Sequence, residues 1–188
     1  MGTIITTNIE PIADNGTVTL GSSGDTFTVP SGVTVNMSSA TQTGVGGVMT
    51  PAFFVTKTST QSIADSTFTN VIFETEEIDT DNAFASNTTF TVPSGKAGKY
   101  FVFGQIRFET DVEFSYAVIR ILHNSTNIVA GWDRNDEYTT INCQAIITLA
   151  ESDTLKLQAR QQSGGALNLG ANDQGHVTYF GAYRVIGA

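Results

Sequence analysis

A single cysteine, Cys143, is the whole thiol content of this 188-residue chain, which rules out an intrachain disulfide framework. Its strand-parity neighbours Ile141, Ala145 and Ile147 are apolar, so a small buried core thiol is expected rather than a nucleophile. Charge is scarce, at 14% of residues, and basic charge scarcest: nine Lys and Arg stand against eighteen Asp and Glu, for a net charge of −9. That balance repels a polyphosphate backbone and removes nucleic acid from the expected partners. The two histidines, His123 and His176, have no nearby Cys and no His-x-x-x-His pairing, so no zinc site is expected. Neither a Gly-x-Ser-x-Gly elbow nor a phosphate loop occurs. No apolar run approaches a membrane span and no basic segment precedes an apolar leader core, so membrane insertion is not expected. Aromatic rings are missing from one end: of 18, only Phe27 lies in the first fifty residues.

That gap divides the chain. Residues 1–44 carry short β-branched or alternating runs at 17–20, 26–29 and 33–35, separated by Gly21-Ser22-Ser23-Gly24-Asp25 and by Pro30-Ser31-Gly32. The pattern reads as strand, turn, strand, turn, strand. Strands this short cannot offset their own ordering entropy, whereas three chains wound about one axis can close them into a prism. A short trimeric β-stem that anchors to a particle is expected, although the polar content also fits a disordered tail. A Gly-rich joint at 45–51 then leads into a body of residues 52–188.

The body reads as strand after strand. Ile141, Cys143, Ala145, Ile147 and Leu149 alternate with mostly polar residues, and Leu155, Leu157 and Ala159 alternate with Lys156, Gln158 and Arg160. Such half-exposed strands belong to an antiparallel sandwich. The heptamer Thr-Phe-Thr-Val-Pro-Ser-Gly occurs twice, at 26–32 and 89–95. Its flanks do not match, so it reads as one local solution used twice: a strand stopped by a Pro-Ser-Gly turn. Two segments are apolar on both parities, one with Tyr100, Phe101, Val102 and Phe103, the other with Val177, Tyr179, Phe180, Tyr183 and Val185. In a small sandwich the outer side of such strands needs cover, most economically from a neighbouring subunit. Phe101, Phe103, Tyr179 and Tyr183 are the expected trimer-interface residues.

Phe73, Asp79, Phe84, Phe90, Gly98 and Tyr100, at their spacing, resemble the signature of the complement C1q globular head, a jelly roll shared with tumour necrosis factor. The ending Thr178-Tyr179-Phe180-Gly181-Ala182-Tyr183 is similar to that family's last strand, and residues 117–127 resemble its middle strand and turn. The resemblance spans residues 51–188. It departs in two loop lengths and at Val102, where the family prefers Phe. It implies an all-β, antiparallel jelly-roll sandwich of C1q/TNF type that forms tight trimers. Residues 15–32 resemble segments preceding knobs in bacteriophage tail-fibre and virion surface proteins.

Three acidic clusters invite a binding role: Glu74 to Asp81; Glu109, Asp111 and Glu113; and Asp133, Asp136 and Glu137. Members of the resembled family bind calcium near the trimer apex, so Glu109, Asp111 and Glu113 are candidate Ca²⁺ ligands, against the plainer reading of a solvated acidic surface. No other cofactor is expected. Trp132 and Tyr138 bracket Asp133, Asp136 and Glu137, an aromatic and carboxylate combination suited to sugar or protein recognition; a packed-in Trp132 is the competing reading. The expected function is non-enzymatic: a homotrimeric protein of the phage virion surface, as capsid decoration, head fibre or short tail fibre. Its partners would be capsid or tail proteins and a bacterial surface glycan or protein. The alternatives are a secreted lectin-like C1q-type module and, more remotely, a glycan-depolymerising tailspike, for which this body offers little groove.

Overall fold

A computed structural model of the chain describes residues 22–34, 49–109, 115–134, 140–171 and 175–185. The chain divides into two compact units, Met1–Val45 and Gly46–Ala188.

In the first unit, the Asp25 amide donates to the Ser22 carbonyl at 3.0 Å, while the Asp25 carboxylate accepts the Ser22 amide at 2.6 Å. The second turn is closed by the Val33 amide donating to the Pro30 carbonyl at 3.3 Å, with Gly32 at φ 84°. The repeated heptamer builds the same turn in the second unit, where the Lys96 amide donates to Pro93 at 3.2 Å and Gly95 has φ 73°. A positive φ at the third turn position is what this geometry demands, and glycine adopts it without a Cβ penalty. Among the described residues, 26–29 form no ladder, and Phe27 is 69% exposed. Residues 17–20 and 35, the other expected stem strand positions, lie outside the described residues.

The second unit is an all-β antiparallel jelly-roll sandwich. Its described strands are β1 (Ala52–Thr56), β2 (Gln61–Ile63), β3 (Thr69–Asn70), β4 (Thr75–Asp79), β5 (Phe84–Ala85), β6 (Thr89–Thr91) and β7 (Gly98–Glu109). They continue as β8 (Tyr116–His123), β9 (Thr126–Asp133), β10 (Thr140–Leu149), β11 (Thr154–Gln162), β12 (Leu167–Leu169) and β13 (Tyr179–Arg184). One sheet runs β2-β12-β7-β13-β1-β4, with β10 on the other side of β7; the second runs β5-β6-β11-β8-β9, with β3 added to β11. Alternation sets the inner faces: Tyr100, Val102, Ile106 and Phe108 of β7, Ile119 and Ile121 of β8, and Leu155, Leu157 and Ala159 of β11 are buried. A bulge after Ile121 shifts the β8/β9 register and leaves Ile121 and Leu122 both buried.

The residues that carry the C1q resemblance are packing devices. Phe73, Phe84 and Phe90 meet Phe53 and Phe180 in one aromatic cluster, with Phe53–Phe90 centroids 4.6 Å apart and Phe53–Phe180 5.0 Å. Such ring pairs contribute about 0.5–1.5 kcal/mol each beyond area burial. The Asp79 carboxylate accepts the Ala83 and Phe84 amides, both at 2.9 Å, and so fixes the entry to β5. Tyr100 is buried with its hydroxyl donating to the Lys96 carbonyl at 2.6 Å, and burial pushes its pKa up to about 12. Lys57 is fully buried as well, its Nζ donating to the Ile72 carbonyl at 2.9 Å and to Glu74 Oε1 at 3.1 Å.

Candidate functional site

The outer face of the larger sheet is aromatic. Strand register aligns Ile146, Phe101, Tyr183 and Ala52 in one row across β10, β7, β13 and β1. The next row holds Gln144, Phe103, Gly181, Phe54 and, on β4, Ile78. Rings connect these rows: Phe101–Phe103 at 5.7 Å, Phe101–Tyr183 at 5.5 Å, Phe103–Tyr179 at 6.2 Å, Phe54–Tyr179 at 5.6 Å and Phe54–Phe103 at 6.3 Å between centroids. His176 stands edge-on to Phe54. Beside the rings an open hollow of about 390 Å³ is lined by Phe101, Phe103, Gln105, Asn142, Gln144 and Tyr179. All five rings are half-buried within one chain, while Ile78 is 49% and Ile146 66% exposed.

Phe101, Phe103, Tyr179 and Tyr183 thus share one continuous face. Sequence reading missed Phe54, Ile78 and Ile146. Their signal was present: Phe53 and Phe54 are large on both parities, and Ile146 interrupts the polar side of an otherwise alternating strand.

Among the described residues, the acidic side chains Glu74, Asp79, Asp81 and Glu109 are engaged within the fold. Burial raises the Glu74 pKa, but hydrogen bonds from the Ser59 hydroxyl, the Thr58 amide and Lys57 outweigh it and hold the value below the ordinary carboxylate range. Asp79 caps β5, and Asp81 lies 3.7 Å from Lys96. Glu109, the last residue of β7, pairs with Arg107 at 3.3 Å. Its proposed Ca²⁺ partners Asp111 and Glu113 lie outside the described residues, as do Asp136, Glu137 and Tyr138. Among the described residues no three His, Cys, Asp or Glu side chains gather as a metal site would require. Trp132, on β9, is 66% exposed, so it is displayed rather than packed in. Asp133 is half-buried, its carboxylate accepting the Arg134 amide at 2.7 Å. Cys143 is a buried free thiol whose pKa burial pushes up to about 12, the wrong direction for a nucleophile.

No protein-family model and no curated protein matches the chain. Solved structures do match, and they define the class as the jelly-roll sandwich of complement C1q and tumour necrosis factor. The globular domain of zebrafish complement 1qA protein is similar at 17% identity with TM-score 0.52, covering 72% of this chain and 97% of that one. Murine APRIL gives TM-score 0.54 at 17% identity, covering 71% and 98%. Eiger TNF from S. frugiperda gives TM-score 0.56 at 12% identity, covering 73% and 93%. The likeness is one of fold, and it agrees with the resemblance carried by Phe73, Asp79, Phe84, Phe90 and Tyr100.

Proposed function

We propose that the chain is a non-enzymatic homotrimer of the phage virion surface, a capsid decoration, head fibre or short tail fibre. Its knob faces outward and its amino-terminal segment meets capsid or tail proteins. The observation that carries the trimer is the aromatic face: five connected rings with Ile78 and Ile146 beside them form an apolar surface that water solvates poorly. A second copy of the chain is the occupant. In a threefold ring the face of one subunit packs against a different edge of the next, so the contact closes without being self-complementary. The virion address is supported by the stem-like composition of residues 15–32 and by low charge with abundant Thr, Ser, Asn and Gly.

A secreted C1q-type binding module is the second reading, favoured by likeness to the complement 1qA globular domain. Sedimentation equilibrium tests the oligomer: a mass threefold the 20.0 kDa of the chain is expected, and a folded monomer overturns the reading. Mass spectrometry of purified phage particles tests the address, and absence of the chain from them favours the secreted module.

A further inference from the structure

The opposite face, the outer side of the smaller sheet, carries arginines interleaved with aromatic rings. Ala117, Ile119 and Ile121 of β8 point inward, so Tyr116, Val118 and Arg120 point out. Register places Val118 opposite both Trp132 of β9 and Arg160 of β11, and Arg120 opposite Gln158. Phe68, the residue before β3, completes the row: the Arg120 guanidinium carbon lies 3.4 Å from its ring centroid and that of Arg160 5.5 Å. Arg160 also lies 5.3 Å from the Tyr116 centroid, and Arg134 lies 5.6 Å from Trp132. Three strand spacings separate Phe68 from Trp132, about 14 Å.

Two facts mark this face as built for a ligand. The guanidiniums form no close ion pair: among the described residues no carboxylate lies within 4.0 Å of Arg120, Arg134 or Arg160, in a protein with twice as many acidic as basic residues, and Arg160 feels only the more distant charge of Asp65. Arg160 Nε is buried without a hydrogen-bond partner. Arg120 is also held in place. Gln158 Oε1 accepts its Nε at 2.9 Å and Nη2 at 2.7 Å, and Gln158 in turn donates to Asn70 Oδ1 at 2.8 Å. Burial first, then the positive charge of Arg160, lowers the Arg120 pKa below its ordinary value. The fold therefore keeps two like charges close, a cost that Asp65 offsets in part and that a bound anion relieves further.

We infer that this face binds a carboxylate-bearing polysaccharide, its sugar rings stacking on Trp132, Tyr116 and Phe68 while Arg120, Arg134 and Arg160 take the carboxylates. A guanidinium pairs a carboxylate in bidentate fashion, and an indole or phenyl ring covers the apolar face of a sugar. The surface is a sheet face with arginines over its rings rather than an apolar groove, which suits a sugar chain better than a protein helix or strand. The net charge of −9 disfavours densely charged phosphate polymers. A sparsely charged sugar chain instead responds to the local arginines, because fields from distant acidic groups are screened within about 8 Å at physiological salt. The inference rests on the outward-knob reading and names the ligand class; a trimer multiplies weak single contacts.

Trp132 is the only tryptophan and sits in the row, so its emission reports on binding directly. The full chain is titrated with polygalacturonate, with neutral dextran and with polyglutamate, and sedimented in the same buffers. Polygalacturonate should change Trp132 emission saturably, and more weakly as NaCl rises from about 50 to about 500 mM; dextran and polyglutamate should not. Arg160→Gln and Arg120→Gln should each weaken binding about tenfold or more, as loss of a charge-assisted pair implies. Circular dichroism identifies any variant that fails to fold; Arg120→Lys, which keeps the charge but loses the fork, then serves in its place and should also bind less. Unmoved emission with no polygalacturonate co-sedimenting, full binding by the arginine variants, or equal binding of polyglutamate overturns the inference. A trimer that ignores polygalacturonate sinks this inference alone, whereas a monomer that binds it sinks only the oligomer.

Discussion

Gly181 lies opposite Phe103 across the β13/β7 ladder, and the Cβ that Gly181 lacks would sit 2.5 Å from Phe103 Cζ and 2.9 Å from the Phe53 carbonyl oxygen. The empty position lets the Phe103 ring lie across β13 towards Phe54. A glycine here is what joins the two halves of the aromatic face. Gly181→Ala should therefore cost about 1–3 kcal/mol by overpacking. A urea titration should show the midpoint falling with the slope unchanged.

Ile146 tests the proposed interface separately from the core. It is 66% exposed in the single chain, so Ile146→Lys should change the stability of a monomer by no more than about 0.5 kcal/mol. Buried between copies, the same lysine should break the assembly. The expected outcome is an unchanged circular dichroism spectrum with sedimentation at the 20.0 kDa chain mass.

Lys57 and Glu74 test the buried polar pair. Lys57→Met keeps the volume but leaves the Ile72 carbonyl without its donor and removes a partner of Glu74. Glu74 remains partly solvated, with its side chain 27% exposed, which limits the loss. A destabilisation of about 1–3 kcal/mol is expected from denaturant unfolding.

Acid should weaken the fold through Asp153. Hydrogen bonds from the Asn124 side chain and the Ala150 amide, then from His123, lower its pKa from 3.8 to about 2. A depressed folded value means that the stabilisation is complete above 3.8 and disappears as pH falls toward about 2. Glu74, held below its ordinary 4.5, acts in the same direction. Thermal midpoints should drop between about pH 4 and pH 2, and Asp153→Asn should flatten that limb.

Cys143 should be inert in the native state. Its thiol is buried, with its pKa pushed up to about 12. A thiol-reactive disulfide reagent should label it slowly in buffer and at once in denaturant; fast native labelling would show that the β10 core opens.

Much of the fold was legible because strand alternation is local. Leu155, Leu157 and Ala159 face inward as their pattern implies, and Phe101 and Phe103 reach the outer face as residues apolar on both parities should. The arginine and aromatic face of the smaller sheet was less legible. Trp132 stood out as a lone indole and was read with the acidic residues following it in sequence, yet its row neighbours are Val118 and Arg160 on two other strands. Phe68, Tyr116, Arg120 and Arg160 carry no motif, since only strand pairing brings them together.

By itself the sequence determined where the chain turns and which side chains share a strand face. Pro-Ser-Gly makes the same turn after residue 30 and after residue 93, because a turn needs only its own four residues. Pairing was decided by tertiary structure. Of two identical Thr-Phe-Thr segments, the one at residues 89–91 is a strand because β5 and β11 supply its hydrogen-bonding partners, while the one at residues 26–28 has no ladder among the described residues. A backbone left without a neighbour has nothing to pair with, whatever its residues prefer.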